Sequence, residues 1–171
     1  MQEYLITTRE VSGLSRSMSL HIDEEKINSY IRESENIDIR SAIGDALYLD
    51  IKKNIERYEL LLEGGTYKDK KGDERVLTGL KTALAYYAYS RLLMNSDGSV
   101  TRYGFVNKDS EYSGRPEFKE KVQAYNNACA VADRYLKEAV LYLKENNEQY
   151  PLYRNAGEIK ANRTTYRIIG E

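Results

Sequence analysis

Residues 80–94 read LKTALAYYAYSRLLM, and this stretch decides the fold. Its apolar and aromatic residues fall on nearly every face of a helix, whereas a helix at a protein surface has an apolar stripe along one face. A helix of this kind lies in the middle of a bundle or between subunits. We therefore expect a central helix from Gly79 to about Asn95. Tyr86 and Tyr89 lie off its main apolar line and are candidates to face a neighbouring subunit.

Three further helices are predicted around the central one. Asp23 is a typical N-cap for a helix from about Glu24 to Ser34. A long helix should follow and end at Gly64-Gly65, since apolar residues recur at steps of three or four; its stripe is Ile39, Ile43, Leu47, Ile51, Ile55, Tyr58 and Leu62. The last helix should begin at Pro116 and end near Asn146, with a stripe formed by Phe118, Val122, Tyr125, Cys129, Ala132, Leu136, Ala139 and Leu143. Gly44 interrupts the long helix, and a packing role is the preferred interpretation for it.

The remaining segments predict a small hairpin, a loop and two arms. Residues 66–77 have β-prone ends around a charged, glycine-containing centre, which predicts an exposed β-hairpin. Residues 96–115 predict a loop. We expect an all-α fold, a bundle of about four main helices over residues 23–150, with the small β-hairpin and extended N- and C-terminal arms over residues 1–22 and 151–171. Both arms contain a short β-prone segment that we expect to be ordered mainly by other chains.

Composition excludes several classes of protein. The chain has 171 residues, enough for one domain with a substantial core, and its 26 Lys and Arg against 27 Asp and Glu exclude a strongly basic duplex-binding module. One Cys and one His cannot form an internal disulfide or a structural zinc site, so no metal is expected. No apolar run approaches the ~20 residues that span a bilayer, and the N-terminus does not resemble a signal peptide. We expect a protein made in the cytoplasm, without a membrane partner.

The sequence offers no catalytic constellation. Cys129 could be a reactive thiol, but its place on a core stripe favours a small buried apolar group. His21 could be a general base or a pH switch, but its place at the start of a helix favours a junction residue. The glycines are not followed by the Gly-Lys-Ser/Thr of a phosphate-binding loop. We expect no catalytic residue, no cofactor and no enzyme activity.

The aromatic residues are unusual, with 16 Tyr, 2 Phe and no Trp. Tyr combines an aromatic ring with a hydroxyl and suits surfaces that become buried on assembly, although many tyrosines are simply half-buried helix residues. The candidate contacts with other subunits or partners are Tyr4, Leu5, Ile6, Tyr67, Tyr86, Tyr89, Tyr103, Phe105, Tyr166, Ile168 and Ile169.

An ordered set of short motifs runs through residues 1–153. They are Tyr4-Leu-Ile-Thr-Thr8, Ile43-Gly-Asp-Ala-Leu-Tyr48, Gly79-Leu-Lys-Thr-Ala-Leu-Ala-Tyr-Tyr-Ala-Tyr89, Tyr103-Gly-Phe-Val106, Ser110-Glu-Tyr-Ser113, and Tyr142-Leu143 ahead of Tyr150-Pro-Leu-Tyr153. Together they resemble the head-tail connector proteins of tailed bacteriophages, in the variant found in phages of Bacteroides-type bacteria and crAss-like phages. Residues 154–171 match no pattern of that family.

The resemblance implies a structural virion protein at the head-tail junction. Its partners would be identical subunits in a ring, commonly twelve, the portal protein, and the next tail or ring protein. The ring would extend the channel for double-stranded DNA without sequence-specific binding. The alternative is a helical adaptor or regulatory protein that binds a partner protein, or nucleic acid through the basic C-terminal arm; such a protein would be a monomer or dimer with salt-dependent affinity for DNA.

Overall fold

The structure is a computed structural model and describes residues 3–18, 22–95, 98–101, 104–107 and 118–153. The helices are α1 (Thr8–Leu14), α2 (Glu24–Ser34), α3 (Arg40–Ile43), α4 (Asp45–Lys53), α5 (Glu59–Glu63), α6 (Leu80–Asn95) and α7 (Phe118–Glu145). A π-helical turn (Glu35–Ile39) joins α2 to α3, and a 3₁₀ turn (Ile55–Tyr58) precedes α5. Two antiparallel hairpins pair β1 (Gly65–Lys68) with β2 (Glu74–Leu77) and β3 (Gly98–Thr101) with β4 (Gly104–Asn107). The predicted all-α bundle with a small hairpin is confirmed.

Helix α6 is the central element, as predicted. It packs along α7 and also contacts α2, α1 and α5. Its buried residues lie all around the axis and are Leu80, Ala83, Leu84, Ala85, Tyr87, Ala88, Ser90 and Leu92. Tyr86 and Tyr89 are half-buried, and the ring of Tyr86 packs against that of Tyr135 on α7 with 5.9 Å between their centroids.

The predicted helix after Asp23 is confirmed, whereas the predicted long helix is broken into short pieces. The Asp23 carboxylate accepts a hydrogen bond from Glu25 N at 3.0 Å at the start of α2. Between residues 39 and 62, however, Gly44 adopts a φ of 83° and separates α3 from α4, and Asn54 ends α4. The predicted stripe nevertheless faces the core, because each piece keeps its apolar side inward; Ile39, Ile43, Leu47, Ile51, Tyr58 and Leu62 are buried, and Ile55 packs against them.

The N-terminal segment is not an extended arm over its described residues. Thr7 and Glu10 form a capping box, in which Thr7 Oγ1 accepts from Glu10 N at 3.2 Å and the Glu10 carboxylate accepts from Thr7 N at 2.7 Å. This box starts α1, which packs on α6. Leu5, Ile6 and Val11 are buried in the core of the same chain. The Thr-x-x-Glu spacing is the sequence signal that identifies this helix.

A buried ion pair fixes the N-terminal segment to the bundle. Glu35, in the π-helical turn, is 1% exposed, and its Oε1 lies 2.7 Å from Nζ of Lys52 on α4, which is 8% exposed. The Glu35 carboxylate also accepts from Leu5 N at 3.1 Å and from the Tyr48 hydroxyl at 2.7 Å. Lys52 Nζ donates to the carbonyl oxygen of Glu3. The pair therefore holds one backbone N–H and one backbone C=O of the segment; we call this group the backbone clamp.

The predicted end of the last helix and its core face are largely confirmed. Helix α7 ends at Glu145, and the single Cys129 is a buried free thiol on its stripe. Phe118 is the exception, since its side chain is 63% exposed. The predicted loop over residues 96–115 is wrong for its described part, which forms the β3–β4 hairpin.

The predicted boundary of the C-terminal arm also needs a correction. Tyr150 and Tyr153 are buried with the core, so the packed part of the chain extends to residue 153. Residues 154–171 and His21 lie outside the described residues.

Two glycines allow the end of α5 to cross the start of α6 at backbone contact. Gly79 has a φ of 95°, and a Cβ there would lie 2.5 Å from the carbonyl oxygen of Leu62 and 2.6 Å from the carbonyl carbon of Glu63. A Cβ at Gly64 would overlap the carbonyl oxygen of Leu77. The two backbone segments are so close that no side chain fits between them.

We expect Gly79→Ala to lower the free energy of unfolding by about 2 kcal/mol or more, because it adds backbone strain to a clash. Urea denaturation followed by circular dichroism measures this. Gly13→Ala is the matched control: Gly13 is helical with nothing within 4 Å of its added Cβ, so a small gain of about 0.5–1 kcal/mol is expected. Equal stability of the Gly79→Ala and Gly13→Ala variants would contradict the close backbone contact at Gly79.

Removal of one member of the backbone clamp should be costly. Glu35→Ala leaves Lys52 buried without its counter-charge and Leu5 N without an acceptor, and we expect a loss of about 3–5 kcal/mol in urea unfolding. The exposed pair of Arg40 and Asp45, 2.7 Å apart, is the comparison, and Asp45→Asn should leave stability nearly unchanged. Similar losses in the two variants would show that the buried pair does not hold the segment.

Candidate functional site

A cluster of tyrosines packs the β1–β2 hairpin against the bundle. The ring of Tyr67 on β1 packs edge-on against Tyr142 of α7 at 4.7 Å between centroids. Tyr142 and Tyr150 share a hydrogen bond between their hydroxyls at 3.0 Å, and the ring of Tyr150 lies 5.9 Å from that of Tyr58. We call these four residues the tyrosine cluster. It ties the hairpin, the end of α7 and the 3₁₀ turn into one unit.

The environment of the cluster raises the pKa of three of its hydroxyls. Burial, followed by the hydrogen bond from its hydroxyl to Asp50, raises the pKa of Tyr58 to about 12. Burial and the bond with Tyr142 raise the pKa of Tyr150. Burial also raises the pKa of Tyr67, and the nearby Glu145 adds to that effect. These three hydroxyls therefore stay protonated at ordinary pH, and their residues act as packing.

The hairpin directs alternate residues towards the bundle and towards solvent. Tyr67 and Leu77 lie on the face that packs against the bundle. Because side chains alternate along a strand, the opposite face carries Thr66, Lys68, Glu74 and Val76, all of them exposed. Val76 is 72% exposed, the largest value among the exposed large apolar residues of the described chain.

The charge of Asp69 at the hairpin tip is paired within the hairpin itself. Asp69 Oδ1 accepts from Lys71 N at 2.9 Å and from Asp73 N at 3.0 Å, and Asp69 Oδ2 lies 3.0 Å from Nε of Arg75. The side chain of Asp69 thus orders the turn and pairs with a cation of the same hairpin. This geometry agrees with the exposed hairpin expected from the sequence.

Large apolar side chains are exposed at both ends of α7. Phe118 opens the helix and Leu141, 54% exposed, lies near its end. At 1.5 Å per residue these two positions are about 35 Å apart along the axis. β2, which carries Val76, contacts α7. The other exposed large apolar residues of the described chain are Ile37, Leu49 and Leu152.

Among the described residues, the candidate contacts predicted from the sequence lie in different parts of the fold. Leu5 and Ile6 are buried in their own chain, and Tyr4 packs partly against the core beside the backbone clamp. Tyr67 belongs to the tyrosine cluster, while Tyr86 and Tyr89 are half-buried on α6. Phe105 lies in β4 by its backbone. The remaining candidates, Tyr103, Tyr166, Ile168 and Ile169, lie outside the described residues.

The exposed apolar residues Val76, Leu141, Ile37 and Leu49 were not predicted as contacts. The alternation of β2 could have identified Val76 once the turn at residues 69–73 was known. Leu141 stands off the predicted α7 stripe, and this offset is itself a signal for an outward apolar residue.

A polar pocket of about 270 Å³ opens beside the backbone clamp. Its lining residues are Glu3, Tyr4, Arg32, Glu35, Asn36 and Tyr48. Lys52 Nζ lies 5.9 Å from the ring centroid of Tyr4 and 5.8 Å from that of Tyr48. Lys52 Nζ already occupies the position that the two tyrosine rings and the Glu35 carboxylate would offer to a ligand cation.

The described residues contain no group of three or more His, Cys, Asp or Glu side chains that could hold a metal ion. Among the described helices, none is both long and apolar enough to cross a membrane.

The fold and its surface define a helical bundle with a packed hairpin and exposed apolar side chains. Residues 39–163 match a family of unknown function (DUF6712), and the protein belongs to that family. The matched region begins at the end of the π-helical turn and includes α3 to α7. No curated protein matches the chain, and no solved structure does.

The tyrosine cluster predicts a loss of stability at high pH. An unfolded tyrosine has a pKa near 10 and folded Tyr58 one of about 12, so above pH 10 the unfolded state binds fewer protons and the free energy of unfolding falls. Tyr58→Phe should make this fall shallower between pH 10 and 12, as measured by urea unfolding at a series of pH values. Parallel profiles for the two proteins would contradict the role of the buried hydroxyl.

Proposed function

We propose that the protein is a structural subunit of a tailed-phage particle that forms a ring between the portal and the tail. The ring extends the DNA channel and docks the next tail component. The motifs that resemble head-tail connectors include the segment from Gly79 to Tyr89, which forms most of the central helix α6. They also include the segment from Ile43 to Tyr48, which spans the break at Gly44 and contributes Ile43 and Leu47 to the core. A small helical bundle is the fold that this resemblance implies.

The observation that carries the proposal is the exposure of large apolar side chains at two distant places. A closed ring needs two different patches on each subunit, one for each neighbour. Phe118 at one end of α7 and Leu141 near the other are too far apart to belong to one small patch. Single exposed apolar residues are common, but Val76, Leu141 and Phe118 are mostly uncovered in the single chain and would gain burial from a neighbour.

Electrostatics also supports a conduit for DNA. The net charge is −1, and the lysines at the hairpin tip are interspersed with acidic residues. Dense phosphate contacts would oppose the passage of a genome. We therefore expect the isolated protein to bind duplex DNA weakly and without sequence preference.

The decisive experiment images the protein by negative stain, alone and mixed with the portal protein of the same phage. We expect rings that form alone or on the portal. A protein that stays monomeric or dimeric with the portal, and binds DNA with a steep salt dependence, would instead support the adaptor or regulator.

A matched pair of substitutions tests the surface itself. Val76→Asp should reduce ring yield, because it places a charge where a neighbour would bury an apolar side chain. Thr66→Asp changes the residue opposite Val76 on the same outward face without removing an apolar contact, and should assemble more readily. Normal assembly of the Val76→Asp variant would show that this face of the hairpin does not lie in the interface between subunits.

A further inference from the structure

The outer edge of β1, which is turned away from β2, has no backbone partner among the described residues. Asp69 N donates to Asp73 O at 2.9 Å, so the hydrogen-bonded pairs of this antiparallel ladder recur at Tyr67–Arg75 and Gly65–Leu77. The N–H and C=O groups of Thr66 and Lys68 therefore point away from β2. No backbone hydrogen bond joins either residue to another element within the described part of the chain.

β1 is the outer of the two strands. β2 contacts α7. The residue that follows β2 is also held against α7, because Thr78 N donates to Glu138 Oε1 at 2.5 Å. The side chain of Tyr67 packs on Tyr142, which turns one face of β1 towards the bundle and leaves its edge free. Unpaired strand edges accept further strands because their backbone groups are already aligned.

The described part of the chain ends at Tyr153, which a series of three contacts connects to β1. Tyr153 N donates to Tyr150 O at 2.9 Å, the Tyr150 hydroxyl lies 3.0 Å from that of Tyr142, and Tyr142 contacts Tyr67 of β1. Eighteen residues follow Tyr153 in the sequence. Ten of them precede Thr164, and ten residues can span up to about 35 Å. That reach covers the path from Tyr153 across Tyr150 and Tyr142 to Tyr67.

The final residues have the composition of a strand. Thr164-Thr-Tyr-Arg-Ile-Ile169 is rich in β-branched and aromatic residues. In an extended chain Tyr166 and Ile168 share one face with Thr164, while Thr165, Arg167 and Ile169 lie on the other. The first face is suited to continue the apolar layer of Tyr67 and Leu77, and the second is the more polar of the two.

We propose that residues 164–169 bind the outer edge of β1 in the same chain as a third strand. Tyr166 and Ile168 pack towards the bundle, and the N–H and C=O groups of Thr66 and Lys68 are its hydrogen-bond partners. The short connection from Tyr153 gives the segment a high effective concentration at its own hairpin. The other terminal segment behaves in the same way, since residues 3–6 are held by the backbone clamp of their own chain. This proposal concerns the isolated chain and does not depend on ring formation.

Amide hydrogen exchange of the full-length chain, measured by NMR, tests the proposal. We expect the amides of Thr66 and Lys68 to exchange at least about tenfold more slowly than in an unstructured peptide, independently of protein concentration. Ile168→Asp should remove this protection because it places a charge on the inward face. Thr165→Asp places the charge on the opposite face of the strand and should retain the protection. The amide of Tyr67, paired with Arg75, should remain protected in every variant and reports an intact hairpin.

Three results would overturn the proposal. The first is exchange of Thr66 and Lys68 at the rate of an unstructured peptide. The second is protection that survives Ile168→Asp. The third is protection that grows with protein concentration, which would assign the strand to a second copy. Ring assembly on the portal is scored separately, so failure of the third strand and failure of the proposed function are distinguishable.

Discussion

The whole structure depends on the need to cover α6 on every side. Its two charged side chains, Lys81 and Arg91, serve that need as well, since both reach covering elements. Lys81 Nζ lies 2.8 Å from Glu10 of α1 and also pairs with Glu63 of α5. Arg91 lies 2.8 Å from Asp38 of the π-helical turn and donates to Ser34 of α2. The central helix is thus packed by apolar contacts and fastened to its neighbours by ion pairs at both ends of its length.

Much of the fold follows from patterns in the sequence. Three features depend on local chemistry and can therefore be predicted from the sequence: the apolar residues on all sides of α6, the N-cap at Asp23, and the end of α5 at Gly64-Gly65. The breaks at Gly44 and Asn54 are not visible in the same way, because the apolar stripe keeps its spacing across both. A stripe predicts which face is buried, and it does not require one continuous helix.

The candidate surface was harder to predict than the core. The abundance of tyrosine favoured assembly contacts, yet Tyr58, Tyr87, Tyr142 and Tyr150 are buried with their hydroxyls bonded inside the chain. The exposed apolar residues are mostly aliphatic and isolated in the sequence, so no periodicity marks them. Val76 is outward only because the register of a short hairpin makes it so, and that register is a property of the turn rather than of the strand.

The backbone clamp can form only after much of the chain has been made. Leu5 is 30 residues ahead of Glu35, and Glu3 is 49 residues ahead of Lys52, so the segment is synthesised well before the side chains that hold it. Glu10 likewise precedes its partner Lys81 by 71 residues. At about 5–20 residues per second this interval is roughly 4–14 s. During that time Leu5, Ile6 and Val11 have no core to enter, so this segment stays accessible to chaperones until α4 and α6 have been made.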